Sequence, residues 1–170
     1  MKVLVLNGSP RPTGTTAAMI STFRESAANK GHDVTVIDVC RKNINGCLAC
    51  EFCHNKGEGR CAQKDDMEEI YRHLKDTNLL ILTSPIYYHG ISGQLKCVID
   101  RFYAALYPKA PESLQKVAMF LASGDPDMYE AARFSFEGDF LGYLKLEDAG
   151  FITNHDENWH EAIRQMAEAL

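Results

Sequence analysis

The fold of this 170-residue chain is decided by the stretch Lys2-Val3-Leu4-Val5-Leu6-Asn7-Gly8-Ser9-Pro10-Arg11-Pro12-Thr13-Gly14-Thr15-Thr16. Lys2–Leu6 is a short apolar run typical of a buried strand. A helical stripe follows the loop Gly8–Thr16, formed by Met19, Ile20, Phe23 and Ala27. Strand, glycine-containing loop and helix together predict the first βα turn of a doubly wound sheet, where ligands bind beyond the carboxyl ends of the strands.

The loop has the chemistry of a phosphate site. Backbone N–H groups at a helix start bind phosphate oxygens, Ser9, Thr15 and Thr16 can add hydroxyl donors, and Gly14 permits close approach. Arg11 can add a charge-assisted hydrogen bond. The spacing from Gly8 to Gly14 fits neither a Walker loop nor a dinucleotide fingerprint, which leaves a terminal monophosphate. The alternative is a tight turn followed by an ordinary helix cap.

Further apolar runs alternate with helical patterns along the whole chain. The predicted strands are Lys2–Leu6, Asp33–Val39, Asn78–Thr83, Lys116–Ala122 and Phe151–Asn154. Helices are predicted after the first strand, from Asp65, over Leu95–Leu106, within Met128–Leu146 and over Trp159–Leu170. Near-continuous Val, Ile and Leu predicts a parallel sheet that is covered on both faces, hence a three-layer α/β sandwich in one domain, residues 1–170.

Composition and charge narrow the function classes. A net charge of −5 and 24% charged residues suggest neither a nucleic-acid partner nor a membrane partner. Arg101 and Lys109 are isolated basic residues, which predicts that they are solvated. The apolar run at Met1–Leu6 is too short for a signal-peptide core, so we expect a cytoplasmic location, where the six cysteines would be reduced, catalytic or metal-bound.

Two loops carry a family resemblance. Asn7-Gly8-Ser9-Pro10-Arg11 after the first strand and Ser84-Pro85-Ile86-Tyr87 after the third resemble the NADPH-dependent FMN reductase family of flavodoxin-like proteins. The resemblance implies a five-stranded parallel sheet of order 2-1-3-4-5, with FMN at its carboxyl edge. It also places Ser9, Arg11, Thr15 and Thr16 around the phosphate, although many relatives carry asparagine where Thr15 stands.

Two loops are expected to border the flavin ring. The turn Pro85-Ile86-Tyr87-Tyr88-His89-Gly90 can offer an aromatic platform and backbone N–H groups, and Ser123-Gly124-Asp125 follows the fourth strand. The tyrosines could instead pack on the next helix. Asp100 and Arg101 are interpreted as helix packing and subunit contacts. Nothing resembles a catalytic triad, and no catalytic residue is predicted, because the flavin itself accepts the hydride.

A cysteine cluster lies in the predicted loop 41–64. Cys47, Cys50, Cys53 and Cys61 form the pattern Cys-x2-Cys-x2-Cys-x7-Cys, which suits one cubane iron–sulfur cluster better than zinc. Followed by Asp65-Asp66-Met67, it resembles the iron–sulfur flavoprotein branch of the family, which implies a [4Fe–4S] cluster beside FMN. The alternative is a reduced or air-oxidised cysteine loop. Cys40 and Cys97 are predicted to be small buried hydrophobic residues.

The predicted function is that of an FMN-dependent oxidoreductase. NAD(P)H or a reduced ferredoxin would supply electrons, and a quinone, flavin or metal ion would accept them. Two alternatives stay open: a non-enzymatic flavodoxin-like electron carrier, and a redox or metal sensor that switches through Cys47–Cys61. A homodimer or homotetramer is expected.

Overall fold

The computed structural model describes all residues, Met1–Leu170, and contains one sheet between two layers of helices. Its strands are β1 (Lys2–Asn7), β2 (Asp33–Asp38), β3 (Leu79–Tyr87), β4 (Gly90–Ile91), β5 (Lys116–Ala122) and β6 (Glu147–Thr153). The five long strands are parallel and lie in the order β2-β1-β3-β5-β6, while β4 pairs antiparallel with the end of β3. Counting the long strands alone, this is the predicted order 2-1-3-4-5, which is therefore confirmed.

The helices lie between the strands, as expected for right-handed crossovers. They are α1 (Thr15–Asn29), α2 (Phe52–Asn55), α3 (Met67–Leu74), α4 (Gly93–Arg101), α5 (Tyr103–Leu106), α6 (Glu130–Ser135) and α7 (Trp159–Glu168). A 3-10 turn spans Val39–Arg41, and a π-helical segment spans Phe136–Tyr143 directly after α6. None of these helices is long and apolar enough to cross a membrane.

Each face of the sheet has its own apolar core. Successive side chains of a strand point to opposite faces, so Val3 and Val5 join the cluster under α1 and α7, whereas Leu4 and Leu6 join the cluster under α3 and α4. Both clusters are almost fully buried, and each large aliphatic side chain in them contributes about 1.5–3 kcal/mol. The predicted three-layer sandwich is confirmed.

Some predicted boundaries were wrong. The last strand begins at Glu147 instead of Phe151. Its first residues are polar, because the strand lies at the sheet edge and pairs only with β5, so the apolar pattern did not indicate them. The helix predicted within Met128–Leu146 is confirmed; it consists of α6 continued by the π-helical segment. The stripe Leu95–Leu106 is divided into α4 and α5 at Phe102.

Candidate functional site

Asn7, the last residue of β1, organises the loop that follows it. Its side-chain oxygen accepts hydrogen bonds from the Ser9 N–H at 3.0 Å and from the Thr83 hydroxyl at 3.3 Å. Its amide nitrogen donates to Asp38 at 2.9 Å. One buried amide thus ties the loop to the ends of both neighbouring strands. Sequence reasoning missed this role, although Asn directly after an apolar strand is a recognisable turn signal.

Gly8 packs the same loop against the start of α4. Its N–H donates to the Thr83 carbonyl at 2.8 Å. A Cβ at this position would lie 2.7 Å from the Ser92 hydroxyl and 2.8 Å from Leu95 Cβ, which is too close for any side chain. The loop can therefore approach α4 this closely only with glycine at position 8.

The start of α1 presents unpaired N–H groups. The backbone N–H groups of Thr15, Thr16 and Ala17 have no hydrogen-bond acceptor in the protein, and no side chain caps the helix. The first turn contains no acidic residue. Gly14 has φ +153, and the exposed Arg11 lies in the loop before it. This helix end carries a positive dipole and can receive an anion.

A tight hairpin closes the second side of the site. Tyr88 and His89 both adopt left-handed backbone conformations, φ 50 and 65, between β3 and β4. Two consecutive positive φ values are typical of a type I′ turn. Tyr88 is 99% exposed, while Pro85, Ile86 and Tyr87 line the cavity described below.

Asn154 holds the third loop. Its side-chain oxygen accepts from the Ser123 N–H at 2.8 Å and from the Tyr129 hydroxyl at 2.7 Å, and its nitrogen donates to the Ser123 carbonyl at 3.1 Å. Burial raises the pKa of Tyr129, which favours the neutral phenol as a donor. Sequence reasoning missed Asn154, because nothing near it in the sequence indicates Ser123 as a partner.

The three loops enclose one cavity of about 450 Å³ at the carboxyl ends of β1, β3 and β5. This volume is in the range of ordinary cofactor pockets. Its lining residues are Ser9, Arg11, Gly14, Thr15, Thr16, Pro85, Ile86, Tyr87, Ala122, Ser123 and Gly124. The structure therefore brings together most of the residues proposed from the sequence. Tyr88, Gly90 and Asp125 lie outside the lining, and Ala122 is added to it.

The four clustered cysteines line a second, much smaller recess. Cys47 and Cys50 are exposed, Cys61 is half-buried and Cys53 is buried. The burial of Cys53 raises the pKa of its thiol. The recess encloses about 20 Å³, room for about one water molecule in this arrangement. No three His, Cys, Asp or Glu side chains come close enough together to hold a metal ion in this arrangement.

The other two cysteines lie outside this recess and are not fully buried. Cys40 is half-buried and its thiol donates to the Ser9 carbonyl at 3.0 Å, so it supports the loop after β1. Cys97 is also half-buried. The prediction of small buried hydrophobic residues was therefore wrong for both.

Arg101 lies in the wall of the cysteine recess and is 1% exposed. It donates to both carboxylate oxygens of Asp65, at 2.8 and 3.1 Å. Burial alone would lower the pKa of Arg101, but its hydrogen bonds to Asp65 outweigh burial and raise the pKa. The prediction of a solvated arginine was therefore wrong, because a carboxylate 36 residues away compensates its charge inside the protein.

The fold agrees with that of known flavoproteins. The sequence matches the NADPH-dependent FMN reductase family over residues 1–169, and the chain belongs to this family. It is similar to an iron–sulfur flavoprotein of Methanocaldococcus jannaschii, with 42% identity over 125 residues, 73% of this chain and 62% of the relative. A second iron–sulfur flavoprotein of the same organism is 39% identical over 101 residues, 59% of this chain and 51% of the relative.

The similarities cover part of the relatives' length and extend to solved structures. The chain spans about half to three fifths of the length of those iron–sulfur flavoproteins. Among solved structures, an NAD(P)H:quinone oxidoreductase of Methanothermobacter marburgensis superposes with a TM-score of 0.67 and 18% identity, over 99% of this chain and 94% of that one. At this identity the likeness supports the flavodoxin-like fold alone.

Proposed function

We propose that this protein is an FMN-dependent oxidoreductase that takes electrons from NAD(P)H or a reduced ferredoxin and passes them to a small acceptor. The observation that carries the proposal is the 450 Å³ cavity at the carboxyl edge of the sheet, next to the unpaired N–H groups of Thr15, Thr16 and Ala17. An anion-binding helix end beside a flat, partly apolar wall suits a molecule with one phosphate and one large ring. FMN is also the cofactor of the family to which the chain belongs.

The residues divide into two groups in this proposal. The N–H groups at the start of α1, the hydroxyls of Ser9, Thr15 and Thr16, and the Arg11 guanidinium would bind the phosphate. Pro85–Tyr87 and Ser123-Gly124 would contact the ring. Bound FMN would supply hydride acceptance at its N5 atom, so the protein needs no catalytic acid, base or nucleophile.

The protein's contribution to catalysis would be to position the flavin ring and the hydride donor. Hydride transfer requires donor and acceptor atoms about 3–3.5 Å apart, so the ring wall must be rigid while one ring face stays accessible. Asn154 provides that rigidity on one side of the ring by holding the Ser123 loop, and Asn7 holds the phosphate loop, each through side-chain hydrogen bonds. The quinone, flavin or metal-ion acceptor would then meet the accessible face, as the nicotinamide would before it.

The proposal includes a [4Fe–4S] cluster held by Cys47, Cys50, Cys53 and Cys61. The donor set fits, because such clusters are held by four thiolates and all four cysteines line one recess. Cys47 and Cys50 are exposed and can rotate to enlarge it. Arg101, which has a buried N–H without an acceptor, lines the same recess, and sulfur could serve as that acceptor. A bound cluster would supply one-electron transfer.

FMN binding is tested by titrating the apoprotein with FMN. Replacing Arg11 by alanine should weaken binding by about tenfold or more, because a charge-assisted hydrogen bond contributes about 1.5–3 kcal/mol. Arg24→Ala is the matched control, since Arg24 is exposed on α1 away from the cavity and its loss should leave the dissociation constant unchanged. A wild-type protein that takes up no FMN would refute the proposal.

Enzyme activity is tested by following NAD(P)H oxidation by the FMN-loaded protein with a quinone as the acceptor. Steady turnover supports the reductase. Reduction by ferredoxin alone, without NAD(P)H turnover, would instead identify an electron carrier. Cys53→Ser tests the remaining alternative, a redox or metal sensor. If the protein is a reductase, the variant should still bind FMN. If it is a cysteine-based sensor, the variant should lose its response to oxidant or metal.

We also propose that the protein is a homodimer or homotetramer. The surface beside α4 and α5 carries an apolar groove of about 290 Å³, and Tyr107 and Tyr143, 42% and 56% exposed, stack there with ring centroids 6.2 Å apart. Exposed aromatic side chains in a groove are typical of protein interfaces. Light scattering gives the subunit count, and Tyr143→Glu should shift it toward the monomer.

A further inference from the structure

Arg101, the last residue of α4, is a buried cation with one side-chain nitrogen that makes no hydrogen bond. Its Nη1 donates to the Asn45 carbonyl at 3.0 Å and to Asp65 at 2.8 Å, and its Nη2 donates to Asp65 at 3.1 Å. Its Nε is the only buried side-chain nitrogen or oxygen atom in the protein without a hydrogen-bond partner. An unsatisfied buried donor costs about 1–3 kcal/mol, so such an atom calls for an explanation.

The position of Arg101 relative to the cysteine loop explains the unpaired nitrogen. Asn45 precedes Cys47 by two residues and Asp65 follows Cys61 by four, so one guanidinium holds both ends of the cysteine loop. Arg101 also forms part of the wall of the recess that all four cysteines line. The residue that carries the unused N–H therefore lines the same recess as the thiols.

Charge and hydrogen bonding can be separated here. The Asp65 carboxylate neutralises the guanidinium, so the pair brings no net positive charge to the recess. What remains is the local N–H dipole at Nε, a directional donor that is itself shielded from water. Reduced sulfur accepts such hydrogen bonds, and hydrogen bonds to sulfur are one of the factors that set the reduction potential of an iron–sulfur cluster.

We propose that Arg101 is a positioning residue of the cysteine site, whose Nε–H donates a hydrogen bond to a sulfur atom held there. The acceptor is reduced sulfur, either a coordinating cysteine Sγ or a cluster sulfide. This inference rests on the proposed cluster. A reduced cluster is more negative than an oxidised one, so the hydrogen bond stabilises the reduced form more strongly and raises the reduction potential.

The direct test needs no substitution. The protein is produced with arginine labelled by ¹⁵N at Nε only, reconstituted with iron and sulfide without oxygen, and reduced with dithionite. Pulsed EPR of the reduced cluster should detect one weakly coupled ¹⁵N nucleus. Arg101→Lys should abolish the coupling, whereas Arg60→Lys should retain it. Arg60 is the matched control, because it adjoins Cys61 in sequence but its side chain is exposed and pairs with Glu58.

The second measurement is the midpoint potential of the cluster. Arg101→Lys keeps the positive charge opposite Asp65 but has no Nε–H, so the equilibrium should shift about tenfold toward the oxidised cluster, which is about 59 mV for one electron. Arg60→Lys should leave the potential unchanged. A potential that Arg101→Lys leaves unchanged would overturn the proposal.

The outcomes separate this inference from the function on which it rests. A wild-type cluster without any ¹⁵N coupling overturns the role of Arg101 and leaves the proposed cluster intact. A wild-type protein that takes up no iron overturns both, while FMN titration still decides the flavin part on its own. If Arg101→Lys fails to fold, the labelled wild-type protein gives the answer.

Discussion

Arg101 and Asp65 form a bidentate ion pair in the protein interior, with N–O distances of 2.8 and 3.1 Å and side chains that are 1% and 5% exposed. The pair joins the end of α4 to the residues just before α3, and the cysteine loop lies between Asn45 and Asp65 along the chain. A structural cross-link at the base of this loop explains how a long irregular segment can have a defined conformation.

Removing the carboxylate should be strongly destabilising. Asp65→Asn leaves the buried Arg101 charge without its counterion, which costs about 3–5 kcal/mol for buried pairs of this kind. Urea unfolding followed by circular dichroism measures the loss. Asp127→Asn is the control, because the Asp127 side chain is exposed and forms no hydrogen bond or ion pair, and its loss should change stability by no more than about 0.5 kcal/mol. Equal effects of the two substitutions would contradict this role of the pair.

The same pair should make the protein sensitive to acid. Burial would raise the pKa of Asp65, but the hydrogen bonds from Arg101 and from the Met67 N–H outweigh burial and lower it. The stabilisation is therefore fully present above the unfolded-state pKa of about 3.9 and is lost as the pH falls through the lower folded-state pKa. The free energy of unfolding should fall with decreasing pH below about 4, and Asp65→Asn should make that slope shallower. An unchanged slope would refute the assignment.

Asn154 should matter for both stability and cofactor binding. Asn154→Ala removes three hydrogen bonds and leaves the Ser123 N–H and carbonyl without these partners, which should destabilise the protein by about 1–3 kcal/mol. Because the released loop forms part of the cavity wall, FMN affinity should fall as well. Tyr129→Phe is the informative comparison, since it removes only one of the three bonds and should keep most of the affinity. Fluorescence titration of FMN distinguishes the two variants.

Substitutions in the hairpin between β3 and β4 should increase the stability of the protein. Tyr88 and His89 occupy left-handed conformations, each of which costs an L-residue about 1–2 kcal/mol, and type I′ turns prefer Asn-Gly. The double variant Tyr88→Asn/His89→Gly should therefore raise stability by about 1 kcal/mol, or about 2–4 °C in melting temperature for a domain of this size. Tyr88→Ala, which keeps the strained conformation, should give no gain. A decrease for the double variant would mean that the two native side chains make contacts that outweigh the strain.

Sequence and structure together show which parts of the site are locally encoded. The loop after β1 was predictable, because a strand, a glycine turn and a helix start are read from about fifteen consecutive residues. The strand order followed from the family resemblance. The first half of β6 was not predictable, because Glu147 and Asp148 lie at the edge of the sheet and lack the apolar signal of a covered strand.

The sequence by itself determined the α/β class, the family and the segments that form the cavity, since hydrophobic periodicity and turn chemistry act between neighbouring residues. Only the tertiary structure decided the partners of the polar side chains. Asn7 meets Asp38, Ser123 meets Asn154 and Arg101 meets Asp65, all more than thirty residues apart along the chain. Such pairs depend on how strands and helices pack, because a buried polar group must find an acceptor or donor wherever the fold places one.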